Sequence, residues 1–517
     1  MLTPFANEPP ADFTQEEPRC RMFAALDHVR TQLGADYPLV IGGKRIQTPE
    51  RILSHNPAHP DQLVGSVARA TPDLADLAVR TAHEAFSSWR RTEPEVRARI
   101  LLKAAALLRK RIYEFAAWMV YEVSKSWPEA YADACEAVDF MEFYARQMMD
   151  LGLPHPTTPF AGEENEVRYL PLGAGSVIAP WNFPLAILTG MTTAALVTGN
   201  TVVMKPAGQA SVIAAKLFEL LEEASVPPGV LNYLPCSGSD AGEVLTGHPL
   251  VRFVAFTGSK DVGLHINERI SHRAPGQNWI KRAILEMGGK NAIIVDSDAD
   301  LDAAAEGIVV SAFGFQGQKC SACSRLIALE DVYAPILERV VERAKSITVG
   351  DPVDPSIFMG AVIDRNAHAS ILRYIGVGKS EGRLVLGGEV PTHAGNGFFV
   401  APTIFADVPP SARIAQEEIF GPVLAVIRAR SFGEALDIAN STEYGLTGGV
   451  YSRSRPHLEQ ARHEFHVGNL YFNRKITGAL VDVQPFGGFN MSGTDSKAGG
   501  RDYLLLFTQA KSISERF

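Results

Sequence analysis

The run Phe253-Val254-Ala255-Phe256-Thr257-Gly258-Ser259-Lys260-Asp261-Val262-Gly263 decides how the chain is read. Its first four residues are apolar, aromatic or β-branched, as in a buried strand. A glycine corner and a polar helix opening follow. Gly258 lets the backbone turn sharply, and the free N–H groups of the next helix turn face an anion, with the Ser259 hydroxyl as a further donor. An ordinary strand–helix turn has the same residues, so this run alone leaves both readings open.

Working outward, similar apolar runs stand at Ser176–Ala179, Thr201–Met204 and Leu231–Leu234, with helical patterns between them at 185–198, 210–225 and 239–247. Strands alternating with helices predict parallel pairing with crossover helices, a doubly wound α/β sheet. A second alternating region begins near Asn291 and runs to about 470. Before the first sheet, apolar residues at three- and four-residue spacing predict long helices over 73–90, 94–125 and 129–150. A proline-rich break at 153–159 leads into a strand pattern at 166–170.

Composition sets outer limits. The chain has 517 residues, 46% hydrophobic and 21% charged, with a formal net charge of −9. That is enough for two or three domains with sizeable cores, and no basic excess draws it to nucleic acid or anionic lipid. From Tyr169 to Met204 no residue is charged, which imitates a membrane span. Pro180, Asn182, Pro184, Gly199 and Asn200 interrupt it, so buried strands and a helix are expected and no membrane contact. Five scattered cysteines suit a reducing compartment, and the first residues lack the charged and apolar regions of a signal peptide; a cytoplasmic location is expected.

The stretch Phe313-Gly314-Phe315-Gln316-Gly317-Gln318-Lys319-Cys320-Ser321-Ala322-Cys323 holds the one C-x-x-C pattern. No second C-x-x-C or H-x-x-H accompanies it, so no metal site is expected. A redox pair, a buried core cysteine and a lone nucleophile at Cys320 all remain open. A free thiol near pKa 8.5 is only a few per cent thiolate at neutral pH, so a nucleophile needs help. Leu285-Glu286-Met287-Gly288-Gly289-Lys290-Asn291 places a carboxylate between an apolar strand and a glycine turn. Partial burial there suits a general base, although a surface glutamate capping a turn has the same pattern.

Taken together, these segments resemble the aldehyde dehydrogenase superfamily. The likeness also takes in Ala179-Pro180-Trp181-Asn182-Phe183-Pro184, Lys205-Pro206-Ala207 and Gln416-Glu417-Glu418-Ile419-Phe420-Gly421-Pro422. Gly317–Ala322, Tyr471–Ala479 and Gln484-Pro485-Phe486-Gly487-Gly488 narrow it to the bacterial 1-pyrroline-5-carboxylate dehydrogenases. The resemblance implies a Rossmann-type NAD-binding domain (1–153 and 173–290), an α/β catalytic domain (291–490) and a small β oligomerisation element (154–172 and 491–517). It implies a homodimer or higher homo-oligomer and oxidation of L-glutamate γ-semialdehyde to glutamate.

By the same resemblance Cys320 is the nucleophile, Asn182 and the Cys320 N–H stabilise the oxyanion, and Glu286 activates water. Lys205, Gly258, Ser259, Trp181, Glu418 and Phe420 hold the cofactor. Ser321 with the backbone of Gly478 and Ala479 anchors the substrate carboxylate, while Phe183 and Phe486 wall its aliphatic part. Glu136 either faces that pocket or lies on a charged helix face, and Phe420 serves equally as core packing. Gly208 stands where relatives often carry a ribose-binding acid, which leaves NADP possible beside NAD, and Asp482 sits in the anchor loop. The competing functions are a dehydrogenase for succinate or aminoadipate semialdehyde, a silent structural member, and a thiol–disulfide oxidoreductase using Cys320 and Cys323.

Overall fold

The computed structural model describes residues 3–391 and 395–517. Its first seven-stranded sheet runs in the order Arg282–Glu286, Phe253–Thr257, Ala174–Ile178, Thr201–Lys205, Leu231–Tyr233, Leu39–Ile41, Lys44–Ile46. The first five strands are parallel, and the last two form an antiparallel hairpin at the edge. All five parallel strands stand at apolar runs read from the sequence, the fifth being the one that leads into Glu286. Helices Ala186–Val197, Ser211–Glu223 and Ala241–Gly247 fall where the pattern placed them. The uncharged stretch 169–204 thus leaves the strand Glu163–Pro171 and becomes strand, loop, helix and strand of the first α/β layer. No helix among the described residues is long and apolar enough to cross a membrane.

The second seven-stranded sheet runs Arg383–Leu386, Thr403–Ala406, Val423–Ala429, Cys323–Leu329, Asn291–Val295, Thr447–Tyr451, Asn469–Phe472. All its pairings are parallel except the first. Each sheet has its own large apolar core. Only four residues separate the last strand of the first sheet from Asn291, so the two sheets meet at the Glu286–Asn291 turn.

The helix expected over 94–125 is two helices, Pro94–Lys110 and Ile112–Val123, broken at Arg111 (φ −110°, ψ 16°). The physical reason lies in the second segment, where every residue except Glu114 is buried. A helix apolar all round cannot continue a surface helix and must turn into the core. Helix Glu16–Arg30, the Leu39–Ile46 hairpin and the small sheet built from Ala35–Tyr37, Arg51–Asn56 and His59–Ala68 are absent from the sequence reading. Finally, Glu163–Pro171 pairs antiparallel along its whole length with Thr508–Arg516, and His155–Pro156 adds a short third strand. Within 491–517, Tyr503, Leu504 and Phe507 pack into the first core, so only the last strand joins this ribbon.

Candidate active site

Cys320 is delivered by a strained loop. Helix Leu301–Phe313 ends at Gly314, and Phe315, Gln316 and Gly317 then adopt left-handed backbone angles (φ 50°, 57° and 67°). Such conformations at non-glycine residues cost about 1–3 kcal/mol each and persist only when their surroundings impose them. Here buried amides do so: Gln316 Nε2 donates to the carbonyls of Ser124 (3.1 Å) and Ala361 (2.8 Å), and Gln318 Oε1 accepts from Ile363 N–H (2.9 Å). Gly317 is required by close approach, since a Cβ there would lie 2.3 Å from the Gly421 carbonyl. The carbonyl of Cys320 is held by Asn291 Nδ2 at 2.7 Å.

The loop brings Cys320 to a cavity of about 250 Å³ at the carboxyl ends of the first sheet's parallel strands, where α/β folds place ligands. Trp181 and Asn182 follow strand Ala174–Ile178, Gly258 and Ser259 follow Phe253–Thr257, and Met287 and Gly288 follow Arg282–Glu286; all line the cavity. Glu418 and Phe420 enter from the second sheet. Phe420, in a left-handed conformation, sets its ring edge-on to Trp181 with centroids 5.5 Å apart. Seven of the residues singled out from the sequence therefore meet in one place.

The buried Asn182 amide donates to the Gln318 carbonyl at 3.1 Å, which fixes it against the Cys320 loop and leaves its second N–H without a partner among the described residues. Glu286 is turned to the other side of its strand. Its Oε1 accepts from the Ser496 hydroxyl (2.7 Å) and Ser496 N–H (3.2 Å), and its Oε2 accepts from Gly488 N–H (3.2 Å). Burial still outweighs these donors and pushes its carboxyl up to about 7. Glu418 is likewise raised to about 7 by burial, against one N–H from Gly289 at 2.9 Å. Burial, then Glu418, then Glu286 push the Cys320 thiol up to about 12, while the N–H groups of Ser321 and Cys320 oppose the rise. Cys320 as it stands is therefore a neutral thiol, with two carboxyl groups within electrostatic reach. Cys323 is fully buried in the second core and its thiol donates to the Arg325 carbonyl, away from the cavity.

The cofactor features can be judged from the backbone. A Cβ on Gly258 would lie 2.5 Å from the Phe256 ring, and one on Gly288 would lie 2.2 Å from Glu418 Oε2, so a side chain at either place would displace a neighbouring one. Ser259 stands at the N-terminus of helix Lys260–Ser271 and lines the cavity, and its hydroxyl makes no capping bond to that helix. This donor set fits the pyrophosphate of a dinucleotide. Lys205 ends its strand beside Gly242 and lies outside the cavity that holds Cys320. Gly208 opens a short turn against Ile52.

Ser321, Gly478, Ala479, Phe183, Phe486 and Glu136 do not line that cavity. Ser321 is buried, Gly478 is exposed with φ +71°, and Phe486 is pinned by reciprocal backbone hydrogen bonds with Ala498 (2.9 and 2.7 Å). Phe183 lies under Lys125, whose Nζ is 4.0 Å from the ring centroid. Asp482 is exposed. The sequence reading missed Ser496, whose contact with Glu286 spans 210 residues, and Lys290, buried with no hydrogen-bond partner for its ammonium among the described residues. Neither carries a local signal.

With this geometry in view, the aldehyde dehydrogenase family model matches residues 45–513. The 1-pyrroline-5-carboxylate dehydrogenase of Geobacillus kaustophilus (strain HTA426) is 59% identical over 519 residues, covering 100% of both chains. The enzyme of the same name from Bacillus subtilis (strain 168) is 53% identical over 517 residues, again covering 100% of both. Among solved structures, 1-pyrroline-5-carboxylate dehydrogenase from Thermus with bound NAD superimposes with a TM-score of 0.98 at 56% identity, covering 100% of each chain.

Proposed function

The chain belongs to the aldehyde dehydrogenase family, and we propose that it oxidises L-glutamate γ-semialdehyde, formed from 1-pyrroline-5-carboxylate, to L-glutamate with NAD. The observation that carries the reading is the meeting of Cys320, Asn182 and the glycine-lined dinucleotide cradle in one cavity, with the Glu286 carboxyl tuned to about 7 beside it.

Cys320, once deprotonated, forms its S–C bond to the aldehyde carbon and gives a thiohemiacetal. The free N–H of Asn182 and the N–H of Cys320 hold the alkoxide oxygen; one such donor is worth about 100- to 1000-fold in rate. A dinucleotide held by Gly258 and Ser259 would supply the hydride acceptor for that carbon, and Cys320 would then carry the acyl group as a thioester. Ser259, Gly258 and Lys205 serve the pyrophosphate and adenosine ribose, and Glu418, Trp181 and Phe420 border the nicotinamide end. Glu286 then turns from Ser496 and accepts a proton from water. The resulting hydroxide adds to the thioester carbonyl, and Cys320 departs as the sulfur leaving group. Ser321 and the N–H groups of Gly478 and Ala479 bind the α-carboxylate, at roughly 1.5–3 kcal/mol for each bond to the charged group. Phe183 and Phe486 flank the methylenes, and Glu136 meets the ammonium.

The same reading divides the chain into a cofactor domain (1–153, 173–290), a catalytic domain (291–490) and an oligomerisation element (154–172, 491–517). The Thr508–Arg516 strand, mostly exposed at the outer edge of its ribbon, supports association of copies, because a free strand edge invites pairing. Five cysteines held as free thiols suit the cytoplasm. The deciding experiment follows NADH at 340 nm and glutamate by mass spectrometry on adding pyrroline-5-carboxylate and NAD. One glutamate per NADH is expected. NADH without glutamate, or neither, refutes the reading.

A further inference from the structure

The Glu286 carboxyl rests in a receptacle made by two turns that lie some two hundred residues further along the chain. On one side, Gly488 N–H donates to Oε2 at 3.2 Å, and Gly487 comes so close that a Cβ there would lie 3.1 Å from Oε1. On the other, Ser496 gives Oε1 its hydroxyl (2.7 Å) and its N–H (3.2 Å), and a Cβ on Gly493 would again lie 3.1 Å from that oxygen. The two turns need a tie of their own to stay closed around the carboxyl.

Lys497 is that tie. Its Nζ donates to the Gly487 carbonyl at 2.9 Å and to the Gly468 carbonyl at 2.8 Å, and it pairs with Asp495 at 2.9 Å. Gly468 leads directly into strand Asn469–Phe472, so one ammonium joins both turns to the second sheet. The Phe489 ring faces the same ammonium, with its centroid 5.1 Å away. The backbone there is strained: Asp495 and Lys497 have φ of 53° and 49°, in the left-handed region. Non-glycine residues stay in that region only where their surroundings impose it, and they gather at functional sites. Lys497 also lies within electrostatic reach of the Glu286 carboxyl and favours its ionised form, while Asp495 beside it offsets part of that charge. Cys320 and Tyr503 lie within the same reach of Glu286, and burial keeps both neutral near pH 7.

We propose that Lys497 is a positioning residue for the general base: it closes the Gly487–Gly488 and Asp495–Ser496 turns into one receptacle and supplies the positive charge that keeps Glu286 ready to take a proton from water. The inference rests on the functional reading above and extends its hydrolytic step. Lys497 lies outside the cavity that holds Cys320 and acts through Glu286.

The test follows steady NADH formation after the initial burst, from pH 6 to 9, in the full chain with pyrroline-5-carboxylate and NAD. Glu286 titrates at about 7, and loss of a nearby positive charge favours its protonated form. Lys497→Met therefore moves the midpoint of the pH–rate profile up by about half a pH unit, which lowers the steady rate about threefold at pH 6 and leaves it near the parent's at pH 9. The burst is unchanged. Lys497→Arg keeps the charge and the parent midpoint. Asp495→Asn suits the left-handed backbone, leaves the Lys497 charge without its offset, and moves the midpoint down. A residue that only braced the fold would lower the rate equally at every pH. If Lys497→Met leaves the midpoint within about 0.2 pH units of the parent's, or Lys497→Arg fails to restore it, the assignment is wrong. If Lys497→Met does not fold, Asp495→Asn decides, and an unmoved or raised midpoint overturns the proposal. A parent that gives no NADH burst with pyrroline-5-carboxylate instead overturns the functional reading and this proposal with it.

Discussion

Replacing Glu286 by glutamine separates the two halves of the proposed reaction. Glutamine has the size of glutamate and keeps one acceptor oxygen for Ser496, whose hydroxyl lies 2.7 Å from Oε1. The weaker contact at Gly488 N–H (3.2 Å) is lost, at a cost of about 1 kcal/mol. Against this stands the carboxyl's own burial. Its pKa is raised from 4.5 to about 7 on folding, so the folded state prefers it protonated. The corresponding stability is fully present below pH 4.5 and is lost as pH rises towards 7, an effect of about 3 kcal/mol. At pH 8 the Gln variant is therefore expected to melt no lower than the parent.

Its activity behaves differently. Without the base, thioester hydrolysis slows by about 100- to 10,000-fold. Attack by Cys320 is spared, because removing Glu286 also removes one of the charges that raise the thiol pKa. Rapid mixing with NAD and substrate should give a burst of about one NADH per active site followed by near silence. Parent turnover climbs with pH through about 7, while the variant is flat from pH 6 to 8. Loss of the burst together with steady turnover would refute the assignment of Glu286 to the hydrolytic step.

Three other substitutions probe the supports. Ser496→Ala removes the strongest donor to Glu286; since that bond favours the ionised carboxylate, the midpoint of the pH–rate profile moves above 7, and an unmoved midpoint rejects the coupling. Gly289→Ala drives a Cβ to 2.5 Å from the Cys320 carbonyl, a backbone clash that cannot be relieved locally, so kcat falls at least about 100-fold while cofactor-independent folding, read by circular dichroism, is retained. Lys125→Met breaks a wholly buried ion pair and strands Asp133, which should cost about 3–5 kcal/mol and appear as a lowered Tm that Lys125→Met/Asp133→Leu partly restores.

The parallel strands were legible because each is an apolar run buried on both faces, bounded by glycine and polar turns; Thr201–Lys205 and Phe253–Thr257 are examples. The cavity was legible because its lining comes from short contiguous motifs at strand ends. The kink at Arg111 was not, since a helix pattern of one period continues through it and only tertiary burial breaks it. Short edge elements such as Leu39–Ile41 and Lys44–Ile46 carry too few residues to set a period. Contacts between distant segments escaped as well. Ser496 reaching Glu286 across 210 residues depends on how the chain returns to the end of strand Arg282–Glu286, which no local spacing encodes.

That Cys320 works beside a site built for an amino-acid aldehyde is decided by kcat/KM for pyrroline-5-carboxylate, succinate semialdehyde and hexanal with NAD. The value is largest for pyrroline-5-carboxylate, with hexanal lower by at least about 100-fold, because an aldehyde lacking the carboxylate leaves the anchor donors unpaired. Brisk oxidation of hexanal with no turnover of pyrroline-5-carboxylate would contradict it.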